Sequence, residues 1–163
     1  MGIGNVIFVA FGRMLISIIF ILLGVATIFN WDVAEREFSG TLANWEIYGS
    51  HLDKIVLLFG YLGEVSTIVL AIGVILQIVG GLSLFFGYRV RVGAILLLIY
   101  LISANIIYHH FWFLQGEALA RSLILFLKNL SIIGALIIVI AIGSGRSNIS
   151  RVQSKCRPQL DED

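Results

Sequence analysis

Cysteine, proline and charge are all scarce in this chain. A single cysteine, Cys156, among 163 residues rules out an intramolecular disulfide, a C-x-x-C redox pair and any multi-cysteine metal cluster. It lies in the polar tail, so the apolar part of the chain carries no thiol chemistry. One proline and no low-complexity stretch leave no linker to divide the chain, and the length fits one domain. Charged residues make up 13% of the sequence, about half the soluble average. A net charge of +1 gives no electrostatic basis for nucleic-acid binding. There is no G-x-G-x-x-G or phosphate loop, and no Ser-His-Asp order or carboxylate pair stands out in the apolar stretches.

Apolar residues are abundant: 59% of the chain, with a mean hydropathy of +1.00. A soluble domain of this size has too little interior to hide that surface, so the excess must face lipid. Runs of about 18 apolar residues or more read as spanning helices, because roughly 20 residues at 1.5 Å each cross the hydrocarbon core. Four spans follow, at about 6–29, 63–87, 92–113 and 120–142. The first is unlike a signal peptide, being too long and without a basic start. Residues 30–62 form the outer loop between spans one and two, its last part (52–62) reading as an interfacial segment. Residues 1–145 then make one membrane domain, and 146–163 a polar tail.

Positive charge is retained on the cytoplasmic side. Arg89 and Arg91 lie between spans two and three, and Arg146, Arg151, Lys155 and Arg157 follow span four. The first loop is acidic instead, with Asp32, Glu35, Glu37, Glu46 and Asp53. Both termini are therefore expected in the cytoplasm, with Trp31 and Trp112 at the outer interface. Small residues such as Gly73, Gly80, Gly81, Gly93 and Gly134 permit close helix approach in lipid. The expected fold is all-α, an antiparallel four-helix bundle in the membrane.

Polar groups within the spans are the candidate functional residues, because each costs free energy in hydrocarbon. Asn105, Tyr108, His109 and Trp112 are spaced to share one face of span three. Lys128 lies in span four at a depth of roughly 12 Å, with Arg121 two turns nearer the outside. With Glu64 at the outer end of span two, these residues are expected to line a polar pocket open to the outer compartment. Deeper, Arg13 and Gln77 come to comparable depths and are expected to pair by a hydrogen bond. Each has a plainer alternative. Glu64, His110, Glu117 and Arg121 sit near helix ends, where water reaches them. Arg13 can snorkel to the inner surface. Lys128 can serve a structural ion pair. His109 and His110 are adjacent, point to different faces and make a poor chelating pair, so no metal site is expected.

Several ordered segments carry a family resemblance: Gly12-Arg13 with Leu22-Leu23-Gly24, Gln77 to Leu82 with Phe86 to Arg89, Tyr108 to Trp112, and Phe126 to Leu136. From Gly12 to Ile142 the chain resembles the DoxX family of small four-helix membrane proteins. Many relatives carry a carboxylate where Gln77 stands here, a departure that argues against proton transfer at this position. The resemblance implies a bacterial inner-membrane protein associated with redox systems, including a thiosulfate:quinone oxidoreductase and an oxidative-stress complex. Other relatives resemble cargo receptors or assembly factors.

On these grounds the first functional expectation is a subunit of a redox or respiratory assembly, not catalytic on its own, which binds a quinone or lipid through Asn105, His109, Trp112 and Lys128. Membrane lipids and other membrane-protein subunits are its expected partners. An assembly factor or structural accessory subunit without a small ligand is the alternative. A small-solute transporter is a third, disfavoured because no inverted repeat is present.

Overall fold

The computed structural model describes residues 3–48 and 53–143. These residues are helical almost throughout, and no strand occurs among them. The helices are α1 (Ile3–Phe29), α2 (Trp31–Tyr48), α3 (Asp53–Glu64), α4 (Ser66–Phe86), α5 (Val90–Tyr108) and α6 (Gly116–Ile142), with a 3-10 turn at Phe111–Phe113. Among the described residues four stretches are long and apolar enough to cross a membrane: Ile7–Phe29, Ser66–Phe86, Val90–Phe113 and Gly116–Ile142. The polar tail from residue 146, with Cys156, lies outside the described residues.

The spans run antiparallel, and the contacts fix their register. The Cβ position of Gly24 on α1 lies 2.7 Å from Ile78 on α4, whereas Arg13 meets Gly87 at the other end of that pair. Asn105 of α5 bonds Asn129 of α6, and Arg91 lies against Gly143. In each pair one number rises as the other falls. A Cβ on Gly80 would sit 2.8 Å from Leu97 and 3.0 Å from the carbonyl oxygen of Gly93, so α4 and α5 approach closely only because that carbon is missing.

Phe20, Leu84, Ala94, Leu97, Leu101 and Leu136 form a core to which all four spans contribute. In space the spans follow the order α1, α4, α5, α6, and the outermost two, α1 and α6, barely meet. Large apolar side chains such as Phe8, Leu22, Ile72 and Ile99 point outward. That surface is stable only against hydrocarbon.

The segment expected as the outer loop is mostly helix. Phe38, Leu42 and Trp45 recur at helical spacing on α2 and are buried, while charged residues such as Asp32, Arg36 and Glu37 take the exposed face. α3 supplies Phe59 to the same cluster, which packs on Val69, Leu70 and Ile107 of the spans. Thr67 of α4 donates a hydrogen bond to Glu35, tying α2 to the start of the second span. α2 and α3 thus form a partly apolar cap across one end of the bundle.

Candidate functional site

The inward stripe of α6 runs through Ser122, Phe126, Asn129, Ile133, Leu136 and Ile140, alternating steps of four and three. Asn129 therefore faces α5, where its Nδ2 donates to Oδ1 of Asn105 at 3.1 Å. Asn105 is buried. Lys128, one residue earlier, falls off that stripe and is exposed on the outer side of α6. The expected pocket with Lys128 beside Asn105 is thus not formed; its neighbour takes the inward place. Arg121 is also exposed and pairs with Glu117 one turn before it, at 3.5 Å.

Gln77 lies deeper. Its side chain is 2% exposed, and it makes no hydrogen bond among the described residues. It stands between two cavities and lines both, together with Tyr100, Ala104 and Tyr108. The larger, about 310 Å³, lies among α1, α2, α4 and α5, with Glu37 and Ser103 among its polar lining groups. The smaller, about 240 Å³, opens between α1 and α6, lined by Ile19, Phe20 and Leu23 on one side and Asn129 and Ile132 on the other. An amide that can donate and accept, and two phenols, thus stand in a mainly apolar space. The expected Arg13–Gln77 bond does not form. The antiparallel register sets Arg13 against Gly87, whereas Gln77 lies near Gly24, 11 residues further along α1 and roughly 16 Å away along the axis.

At the capped end, α5 stops at Tyr108, and His109 leaves helical geometry with φ −113° and ψ 62°. The expected shared face of Asn105, Tyr108, His109 and Trp112 therefore ends before Trp112. His109 lines the smaller cavity, whereas Trp112 joins an aromatic group around Trp45. Trp45 stacks on Phe59 at 4.7 Å and packs edge-on to His110 at 5.8 Å. Its indole N–H donates to the carbonyl oxygen of Ile107 at 2.9 Å. Glu64, the last residue of α3, is exposed and joins neither cavity. Among the described residues no group of three or more His, Cys, Asp or Glu could hold a metal ion.

Tyr100 and Asn129 were not expected from sequence, yet both were legible. Tyr100, Ala104 and Tyr108 share a face at steps of four, and the α6 stripe singles out Asn129. Trp45 required seeing that the acidic loop is amphipathic.

Comparison with known proteins decides the lineage. Residues 48–155 match the SURF4 family. The chain belongs to the SURF4 family. This overturns the DoxX resemblance, which no family match supports: its segments were small-residue, apolar and aromatic runs that antiparallel membrane bundles share. The chain is also similar to an inner membrane protein, YphA, of Escherichia coli K12, at 23% identity over 150 residues, covering 92% of this chain and 93% of the relative. Four spans and an inner-membrane relative agree with the expected bacterial inner-membrane location of this SURF4-family chain. No solved structure matches it. The link to redox systems rested on the DoxX resemblance and falls with it.

Proposed function

We propose that this SURF4-family chain is a non-catalytic inner-membrane protein that holds an amphipathic, lipid-soluble molecule, a membrane lipid or a quinone, between its spans. The observation that carries this reading is Gln77: a side chain 2% exposed, without a hydrogen bond among the described residues, whose amide lines two cavities. An amide left unsatisfied in an apolar, water-free surrounding costs about 1–3 kcal/mol. A carbonyl or hydroxyl on a bound molecule would remove that cost, and Tyr100 and Tyr108 would orient it. The larger cavity is of the size typical of small-molecule sites, and its lining is mainly apolar.

The test is mass spectrometry of small molecules retained by protein extracted gently from its native membrane. Wild type is expected to carry a stoichiometric lipophilic compound. Gln77→Leu should lose it while unfolding at the same or a higher temperature, because the unpaired amide is gone. Retention of the compound by Gln77→Leu, or only bulk lipid on wild type, would rule the reading out.

Lys128 favours a second reading, an accessory subunit or assembly factor that pairs with a partner helix. An exposed lysine within a spanning helix that touches little beyond α5 is costly unless something meets it. Lys128→Met should then release co-purifying protein without lowering the melting temperature of the isolated chain.

A further inference from the structure

The end of the bundle opposite the cap carries arginines without counterions among the described residues. Arg13 of α1, and Arg89 and Arg91 at the α4–α5 turn, gather there. Every carboxylate among the described residues lies in α2, α3 or the first turn of α6, at the other end. Arg13 lays its guanidinium over Gly87, with Nη2 3.2 Å from the position a Cβ would take. Gly87 has φ 71°, so only glycine is unstrained there, and the open surface it leaves is where the guanidinium rests. The Nε of Arg13 is buried and has no hydrogen-bond partner among the described residues.

The same turn starts α5. Its N-cap position is Arg89, with no side-chain cap and no acidic residue in the first turn. The positive end of the α5 dipole thus adds to the arginines. Gly87 follows the last residue of the second span, so the charges stand where hydrocarbon gives way to headgroups. Phe11, Leu82 and Phe86 expose apolar surface beside them.

We infer that this end of the bundle binds the phosphodiester of an anionic phospholipid, with Arg13 as its main contact and Arg89 and Arg91 assisting. The geometry offers a guanidinium fork for the phosphate and apolar surface for the acyl chains. A free phosphate would gain only the first of these.

The experiment is thermal unfolding of the full chain in neutral detergent, titrated with phosphatidylglycerol, phosphatidylcholine or inorganic phosphate. Phosphatidylglycerol is expected to raise the melting temperature by several degrees, and phosphatidylcholine to do little. Arg13→Gln should weaken the phosphatidylglycerol response roughly fivefold in concentration, and Arg13→Lys should restore part of it. If Arg13→Gln fails to fold, Arg89→Gln/Arg91→Gln, which alters exposed side chains only, should still weaken the response. Lys128→Gln, remote from this end, should leave it unchanged. Equal stabilisation by phosphatidylcholine, a response indifferent to both arginine variants, or the same shift with inorganic phosphate would overturn the proposal. So would indifference to headgroup charge in a chain that loses stability on Asp161→Asn/Glu162→Gln/Asp163→Asn, because the tail would then be the counterion.

Discussion

A part-buried amide pair, an amide with no hydrogen bond among the described residues and an outward lysine do very different things within a few turns of one another. Asn105 and Asn129 satisfy each other across α5 and α6, so removing one strands the other. Asn129→Leu or Asn105→Leu alone should cost about 1 kcal/mol, the usual scale for interhelical hydrogen bonds in membranes. The double variant should cost less than the two single losses added together, because no orphan amide remains. Thermal unfolding of the four proteins gives the coupling directly, and strict additivity would refute the pairing. Gln77 has no such partner among the described residues, so its replacement by leucine is expected to tighten rather than loosen the bundle.

At the scale of the element, the aromatic group around Trp45 is the centre of the contact that holds α2 and α3 to the spans. Trp45→Ala removes the stack on Phe59, the contact with His110 and the hydrogen bond to Ile107. Core aromatic truncations cost roughly 3–5 kcal/mol. Hydrogen exchange in the variant should rise across α2 and α3 while α4 and α5 stay protected; uniform loss of protection would mean that the cap is not a separate unit. The spans were legible in the sequence because hydrocarbon thickness dictates length, and their small residues foretold close packing at Gly80. The cap was hidden by composition: Asp32, Glu35 and Glu37 make α2 read as acidic loop, although Phe38, Leu42 and Trp45 already repeat at helical spacing. The site was misread for a different reason. Depth alone placed Lys128 near Asn105 and Arg13 near Gln77, but side-chain direction and antiparallel register decide who meets whom. Neither follows from hydropathy.

For the whole molecule, the arginines around the α4–α5 turn predict that this end of the bundle faces the cytoplasm, and an even number of spans predicts the same side for both ends of the chain. Cys156, the lone cysteine, is a ready reporter. A membrane-impermeant maleimide should label it in inverted vesicles and not in intact cells; labelling of intact cells would reverse the orientation. The loose meeting of α1 and α6 reaches beyond topology. A molecule entering the smaller cavity there arrives from the bilayer, not from water, so its effective concentration is its mole fraction among the lipids. Diluting the sample with buffer would leave occupancy unchanged, whereas adding inert lipid would empty the site.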